Sequence, residues 1–280
     1  MDARVDKLPA KTLPIRPFLK WAGNKYRIID RIKKLLPTGK RLIEPFVGSA
    51  AVFLNTDYPS YLLCDNNPDL INLYNLLKKD GDKFIRYCQP YFNGQYNNAE
   101  SYYALRDKFN TSKNLRQKAA LFIYLNRHGY NGLCRYNQSG GYNVPFGRYV
   151  HPYFPAKEMR AFHHKAQNAE FKICPFEDTI NNAQKGDVIY CDPPYAPLTS
   201  SADFTNYSPG GFNIEQQTKL AQLAQYTATK NIPVLLSNHD TDFTRKVYKQ
   251  ANKQYFNVRR YISCNGEKRD HAGEILALFG

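Results

Sequence analysis

The chain has 280 residues, of which 42% are hydrophobic and 14% aromatic, and its formal net charge is +15. This length suits one large domain or a core domain with an insertion, and no run of ~18 apolar residues could cross a membrane. So basic a surface favours a polyanionic partner, and nucleic acid is favoured over an anionic membrane. The alternative is that the charge only keeps the protein soluble.

The amino-terminal part begins with residues 1–15, whose charges and prolines lack periodicity and predict a mobile tail without a secretion signal. The only tryptophan, Trp21, follows, with Lys20 before it and Lys25 shortly after it. By composition alone Trp21 is interpreted as a core anchor. A lysine on each side of a Trp-Ala-Gly turn also suits a loop that stacks on a ring and contacts an anion. Residues 28–36 have the spacing of an amphipathic helix.

Residues 41–53 predict a strand, a tight glycine turn and the start of a helix. Gly48 allows close backbone approach and the helix N-terminus presents free N–H groups. The pattern is not the dinucleotide G-x-G-x-x-G, so a pyrophosphate site has little support. A second strand over 61–64 ends at Asp65, an acid spaced to bind ribose hydroxyls. Together Gly48 and Asp65 indicate a nucleoside-containing cofactor, although Asp65 could simply start a turn.

Strand alternation largely disappears between residues 69 and 167, which predicts a helical insertion between strands of an α/β core. Helices are predicted over 70–79, 102–109 and 115–127. The segment ends in glycine-rich residues whose alternation from Leu133 to Pro145 predicts a hairpin. Interleaved Arg, Asn and Tyr side chains suit base edges, phosphates and base stacking. The alternative is a surface hairpin with solvated charges.

The six cysteines are scattered and form no C-x-x-C pair, so we expect reduced thiols and a cytoplasmic protein. Cys64, Cys174 and Cys191 lie in apolar runs and are interpreted as buried side chains. His163 and His164 have no partner at metal-ligand spacing, which predicts an exposed helix face and no metal site.

The apolar run 188–191 is stopped by two prolines, which predicts a buried strand that ends abruptly at Asp192, Pro193, Pro194 and Tyr195. Ligands bind at this end of strands in open α/β sheets. Because proline lacks an N–H, the Asp192 carboxylate and the Pro193 carbonyl are left as acceptors, with Tyr195 as a stacking face. Such a set suits an exocyclic amine on a planar ring, such as N6 of adenine. The alternative is a plain proline turn capped by Asp192, and the tetrapeptide alone does not choose.

The other predicted elements complete the α/β pattern. Strands are predicted over 171–174, 234–237, 256–263 and 275–279, and helices over 214–229 and 243–250. Residues 196–211 are rich in Ser, Thr, Pro and Gly and predict a mobile loop that could close over the site. The basic turn 265–269 could contact phosphate or simply be solvated.

These motifs together resemble the Dam-type DNA N6-adenine methyltransferases, in the same order from about residue 16 to the carboxyl terminus. Residues 18–25 are similar to that family's cofactor loop, 44–48 to its S-adenosylmethionine turn, and 192–195 to its catalytic tetrapeptide. Residues 130–137 and 143–149 resemble its recognition hairpin. The hairpin is the most specific part of the match, because other amino-methyltransferases share only the cofactor turn and the tetrapeptide.

The resemblance implies an α/β, Rossmann-like methyltransferase fold that uses S-adenosylmethionine. Residues 1–67 and 169–280 would form the catalytic domain, and 68–168 a mostly helical target-recognition insertion with a β-hairpin. The reaction would methylate adenine N6 in duplex GATC sites after the base is flipped out, at a cost of a few kcal/mol. The partner would be double-stranded DNA, and we expect a monomer, bacterial or phage-encoded, in the cytoplasm.

The site residues implied by the resemblance fall into three groups. The catalytic residues are Asp192, Pro193, Pro194 and Tyr195. The cofactor-binding residues are Trp21, Lys25, Glu44, Phe46, Gly48, Asp65 and Asp192. The DNA-binding residues are Lys20, Tyr130, Asn131, Leu133, Arg135, Asn137, Pro145 and Arg148.

Two positions depart from the family pattern: Asn24 and Ala50 stand where the family usually has glycine. Neither touches the tetrapeptide or the hairpin, so they bear on cofactor affinity more than on reaction type. In the implied mechanism Asp192 orients the amine and need not be a full general base. The rival interpretations are an RNA or protein-amide methyltransferase and a DNA-binding module without turnover.

Overall fold

The protein is described by a computed structural model over residues 13–195, 212–259 and 271–280. The expected loop at 196–211 and basic turn at 265–269 lie outside these ranges, as does most of the expected amino-terminal tail. Seven strands form one sheet. They are β1 (Arg41–Glu44), β2 (Ser60–Asp65), β3 (Ala169–Ile173), β4 (Asp187–Cys191), β5 (Val234–His239), β6 (Asn252–Arg259) and β7 (His271–Phe279).

The strand order is β3-β2-β1-β4-β5-β7-β6. Strands β1 to β5 pair in parallel, and β7 inserts antiparallel between β5 and β6. The order reverses between β1 and β4, and such a switch point opens a crevice at the carboxyl ends of the strands. Glu44, which ends β1, and Asp192, which follows β4, both lie at this crevice. The topology confirms the predicted α/β, Rossmann-like fold.

Helices flank the strands and fill the segment between β2 and β3. Those in the described ranges are α1 (Ile29–Leu35), α2 (Ala51–Asn55), α3 (Pro68–Asp80), α4 (Asp82–Cys88), α5 (Ala99–Thr111), α6 (Leu115–His128), α7 (Ala156–Lys165), α8 (Phe176–Asn181), α9 (Ile214–Thr229) and α10 (Asp242–Val247). The predicted helices are confirmed as α1, α3, α5, α6, α9 and α10. The helix face predicted at His163 and His164 belongs to α7, and no prediction covered α4 and α8.

The core lies on both faces of the sheet because successive residues of a strand point to opposite sides. On one face Leu42 and Leu63 pack with Phe53 and with the buried side of α3. On the other face Ile43 packs in a second cluster with side chains of α8 and α9. No helix in the described ranges has the length and apolar character needed to span a bilayer.

The predicted hairpin is present and spans residues 129–146. It has isolated antiparallel bridges at both ends, Gly129 with Phe146 and Tyr136 with Tyr142, instead of a continuous ladder. Its inner end is held by α5, because Asn110 exchanges two hydrogen bonds with the Tyr142 backbone, at 2.8 and 3.1 Å. The 129–146 hairpin is therefore fixed to the helical segment.

Three local predictions need correction. His163 is half-buried, and its Nδ1 lies 3.0 Å from the Leu77 carbonyl, so only His164 belongs to an exposed face. Cys174 is half-buried because β3 ends at Ile173, whereas Cys64 and Cys191 are buried as predicted. Strand β6 begins at residue 252 because its pairing with β7 begins there, although the sequence alternation starts later.

Candidate active site

Asp192 lies at the carboxyl end of buried strand β4, in the crevice between β1 and β4. Its Oδ1 atom accepts a hydrogen bond from Ser237 Oγ at 2.9 Å and forms an ion pair with Lys25 Nζ at 2.7 Å. Ser237 is held in turn by the Tyr190 hydroxyl at 3.1 Å. Because Lys25 and Ser237 both contact Oδ1, they leave Oδ2 as an acceptor for another donor.

Two carboxyl groups share this buried site. Burial raises the pKa of Asp192, while the charge of Lys25 and the hydrogen bonds from Lys25 and Ser237 act in the opposite direction. Glu44 is 2% exposed, and its pKa lies well above the ordinary value, first through burial and then through the nearby Asp192 charge. Glu44 Oε1 has no hydrogen-bond partner among the described residues. The crevice therefore favours a cationic or hydrogen-donating group beside Glu44.

Lys25 reaches the crevice from a short 3₁₀ helix, Lys25–Ile28. Asn24 caps this helix, because its side chain accepts from the Tyr26 N–H at 3.2 Å and donates to the Trp21 carbonyl at 3.1 Å. The asparagine that departs from the family pattern thus helps to position Lys25. Lys25 Nζ also donates to the Gly23 carbonyl and lies 4.6 Å from the centre of the Tyr195 ring.

Side chains of β5, β7 and α9 contact the residues that follow Asp192. Gln217 Nε2 donates to the Pro194 carbonyl at 2.7 Å, and Gln217 Oε1 accepts from Asn238 at 3.0 Å. The Tyr195 hydroxyl donates to Glu274 at 3.3 Å, and its ring meets His239 edge to face. None of these supporting residues, nor Ser237, was predicted. The available signal was a set of polar residues that closes the apolar run of β5.

The glycine turn lies beside this crevice. Gly48 has φ +45°, and a Cβ there would lie 2.9 Å from Trp21 Nε1, so glycine lets Trp21 lie against the turn. Trp21 is accordingly half-buried at this turn and packs against the edge of the core, so the core-anchor interpretation holds only in part. The Gly48 N–H donates to Asp65 Oδ2 at 3.1 Å. Burial raises the pKa of Asp65 against the hydrogen bonds of the Asn67, Gly48 and Asn66 N–H groups.

Phe46 and Ala50 complete the turn. Phe46 is half-buried and stacks on Phe176, with ring centres 5.5 Å apart. Ala50 is buried in the left-handed region, at φ 61° and ψ 30°, where alanine is disfavoured by roughly 1–2 kcal/mol. The usual family glycine would avoid that cost, which gives the departure at position 50 a physical consequence.

Lys20 joins the loop 20–25 to the hairpin. Its backbone exchanges hydrogen bonds with the Asn126 side chain, at 2.8 and 2.7 Å. Gly132 approaches so closely that a Cβ there would lie 2.2 Å from Lys20 Cβ. Lys20 Nζ lies 3.8 Å from the centre of the Tyr149 ring. Burial, and then the charge of Arg127, lower the pKa of Lys20 to about 8.

The remaining predicted DNA contacts line the hairpin and the irregular segment that follows it. Arg135 is exposed and oriented by Asn143, whose side-chain and backbone oxygens accept from it at 2.7 and 3.1 Å. Leu133 is half-buried. Asn137 uses its amide oxygen inside the turn, accepting from the Gly141 N–H and the Ser139 hydroxyl. Besides Arg135, the exposed residues among these predicted DNA contacts are Tyr130, Asn131, Asn137, Pro145 and Arg148.

The predicted residues therefore form two neighbouring groups that meet at the loop 20–25. The first surrounds the crevice with Asp192, Lys25, Tyr195 and Glu44. The second lies along the hairpin and includes Lys20. Within the described ranges no group of three or more His, Cys, Asp or Glu side chains could hold a metal ion.

Residues 21–262 match the family model described as D12 class N6 adenine-specific DNA methyltransferase. The chain belongs to this family. A DNA adenine methylase of Salmonella typhi is 51% identical over 264 residues, which cover 94% of this chain and 95% of the relative. A DNA adenine methylase of Escherichia coli K12 is 50% identical over the same shares. The resemblance to Dam-type methyltransferases is thereby confirmed, and so is adenine N6 methylation of DNA as the family's reaction.

Among solved structures, one described as human methyltransferase 10 domain containing protein aligns over 93% of this chain and 81% of its own. Its TM-score is 0.38 at 9% identity, a likeness too low to support an inference.

For a DNA adenine methyltransferase, the position of Lys25 has a direct chemical meaning. Its ammonium group is an N–H donor on the Asp192 carboxylate and lies near the Tyr195 ring. An adenine held by the same acceptor and the same ring would need much of this space. Without DNA, Lys25 supplies the positive charge that the partly buried carboxylate would otherwise lack.

Proposed function

We propose that this methyltransferase transfers a methyl group from S-adenosylmethionine to N6 of adenine in duplex GATC sites, after flipping the base out of the stack. The observation that supports this most strongly is the Asp192 carboxylate, fixed by Ser237 and Lys25 beside the Tyr195 ring. It is an acceptor next to a stacking face, at the switch point of the sheet.

The crevice has donors and acceptors that fit S-adenosylmethionine. Asp65 would accept from the ribose hydroxyls, and Trp21, Lys25, Phe46 and Gly48 would surround the rest of the molecule. The unpartnered Oε1 of buried Glu44 is an acceptor suited to a cationic ligand. When bound, the cofactor supplies an electrophilic methyl group on a positively charged sulfur.

The chain's own residues would orient the nucleophile. The N6 amine is a weak nucleophile because its lone pair is delocalised into the ring. Hydrogen bonds from its two N–H groups to Asp192 and to the Pro193 carbonyl would favour a pyramidal nitrogen whose lone pair is available. Pro194 and Tyr195 complete the wall against which the base stacks. Catalysis in this account comes mainly from positioning and preorganised polar groups.

The hairpin side is proposed to read the target. Arg135 would bind guanine O6 and N7, Pro145 and Leu133 would contact bases in the major groove, and Lys20 would add a further base contact. Tyr130, which is 51% exposed, would fill the gap left by the flipped adenine. Asn131 and Asn137 would contact DNA beside it, and Arg148 would hold phosphate.

At the level of domains, residues 68–168 would form the target-recognition unit, and 1–67 with 169–280 the catalytic unit. The enzyme is proposed to act as a monomer in the cytoplasm. Its net charge of +15 supports a salt-dependent affinity for DNA.

The test is methyl transfer from labelled S-adenosylmethionine to duplexes that differ from GATC by single base pairs. We expect label on N6 of adenine in GATC, a reduced rate for each altered pair, and no transfer by Asp192→Ala, which still binds the duplex. Label on RNA or protein alone would favour a rival enzyme. An inactive parent that binds S-adenosylmethionine and DNA would favour a binding module.

A further inference from the structure

Residues 65–69, which begin with the last residue of β2, contact the glycine turn at one end and the 129–146 hairpin at the other. At the first end, Asp65 Oδ2 accepts from Gly48 N–H at 3.1 Å, and Asp65 Oδ1 accepts from Asn67 N–H at 3.0 Å. Asn67 then caps α3, because its side-chain oxygen accepts from the Asp69 and Leu70 N–H groups. The segment is thus held rigidly from the proposed ribose acid to the start of α3.

At the other end, Asp69 holds the hairpin. Its Oδ2 accepts from the Tyr136 hydroxyl at 3.0 Å, and its Oδ1 pairs with Lys118 Nζ of α6 at 2.7 Å. The side chain of Asp69 is 14% exposed and that of Lys118 23%. Asn67 Nδ2 also lies 3.6 Å from Cys134 Sγ. Two hairpin residues, Cys134 and Tyr136, are therefore bonded to Asn67 and Asp69.

The Tyr136 ring lies among the residues that would read the bases. It directly follows Arg135 in the chain, and it meets Tyr142 at right angles with ring centres 5.6 Å apart. The Tyr142 hydroxyl donates to the Leu133 carbonyl at 2.9 Å. A shift of Tyr136 away from Asp69 would move both Leu133 and Arg135.

We propose that Asp69 and Tyr136 are positioning residues for target recognition, and that residues 65–69 couple cofactor binding to the placement of the hairpin. This inference rests on the proposed function of Asp65 and of the hairpin. A ligand on Asp65 would further stabilise segment 65–69 in this position, and the segment would hold Leu133 and Arg135 at the height that the base edges need. By linkage, target DNA would tighten cofactor binding by the same factor.

The experiment measures the dissociation constant of S-adenosylhomocysteine with and without a GATC duplex, and the ratio of kcat/KM for GATC to that for a duplex with the last pair changed. The variant is Tyr136→Phe, which deletes one hydroxyl. The matched control is Tyr153→Phe, whose hydroxyl donates to Glu158, also at 3.0 Å, within an exposed segment. Asp69→Asn repeats the test from the other partner, and it serves if Tyr136→Phe does not fold.

In the parent we expect the duplex to tighten S-adenosylhomocysteine binding about 5-fold or more. Tyr136→Phe and Asp69→Asn should lower that ratio and the sequence discrimination at least about 3-fold, with binding in the absence of DNA unchanged. A purely structural brace would lower thermal stability without moving either ratio. Ratios equal to the parent's in both variants, or a parent ratio of one, would overturn the inference. A parent that does not methylate GATC would instead contradict the proposed function.

Discussion

At the scale of single residues, the central feature is one oxygen atom that binds two donors. Lys25 and Ser237 both contact Asp192 Oδ1, and Ser237 is completely buried. Because Ser237 is shielded from solvent and also bonded to Tyr190, it fixes the orientation of the Asp192 carboxylate. Lys25 reaches the same oxygen from the loop 20–25, and we propose that it is the donor that substrate replaces.

Replacement of Ser237 by alanine therefore tests the orientation of Asp192. We expect kcat to fall about 10- to 100-fold, because a misplaced acceptor loses its alignment with the reacting amine, while KM for DNA changes little. Ser60→Ala is the matched control, since its hydroxyl donates to the Lys40 carbonyl at an exposed site. Steady-state kinetics at saturating cofactor would measure both. An unchanged kcat in Ser237→Ala would remove the serine from the account.

We expect Lys20 to make DNA affinity depend on pH. Its pKa of about 8 means that the free enzyme loses this charge between pH 7 and 9. In the complex, phosphates and base acceptors would keep Lys20 protonated. The dissociation constant for the duplex should then rise about tenfold over this range, and Lys20→Ala should show a flatter profile. Fluorescence anisotropy at constant ionic strength measures both profiles, and parallel curves would contradict the prediction.

The same group affects folding in a defined direction. Because the folded-state pKa lies below the ordinary lysine value, the unfolded chain holds more protons from about pH 8 up to that value. The contribution of Lys20 to the free energy of unfolding should therefore increase with pH in this window.

At the scale of elements, the 129–146 hairpin depends on glycine where it approaches Lys20. Gly132 and Gly140 both have positive φ, +62° and +79°, but only Gly132 faces a neighbour, the Lys20 side chain. Replacement of either glycine by alanine should lower the free energy of unfolding by roughly 1–2 kcal/mol through backbone strain.

The pair Gly132→Ala and Gly140→Ala separates strain from the contact. We expect Gly140→Ala to bind the GATC duplex as the parent does. Gly132→Ala should displace Lys20 and lose a contact worth roughly 1–3 kcal/mol, which is about 5- to 150-fold in affinity. Thermal melting and duplex titration measure the two effects. Equal affinity in the two variants would show that the packing of Lys20 on Gly132 is unimportant for binding.

The sequence predicts the long elements because their signals are local. Helices α3, α5, α6 and α9 each have an asparagine cap and several turns of apolar spacing. Helices α4 and α8, of seven and six residues, were not predicted, although the predicted α1 and α10 are equally short. The site differs in kind: Asp192 and Lys25 are recognised from motifs, whereas Ser237 and Gln217 become visible only when β5 and α9 are placed beside β4.

At the scale of the whole molecule, the strand order decides where chemistry can occur. Strands β1 and β4 are separated by more than 140 residues, yet Arg41 pairs with Asp187 in the sheet and also binds it through its side chain, at 2.6 and 2.9 Å. This brings Glu44 and Asp192 to one crevice. The loop 20–25 then connects that crevice with the hairpin, so the proposed catalytic and recognition groups share a single short segment.

The most direct test of this arrangement is the structure of the enzyme with a GATC duplex and a non-reactive cofactor analogue. The account predicts an extruded adenine on Tyr195, with N6 about 3 Å from the Asp192 carboxylate and Lys25 Nζ moved away from the space it occupies without DNA. An adenine that remains stacked in the duplex, or an Asp192 side chain turned out of the crevice, would contradict it.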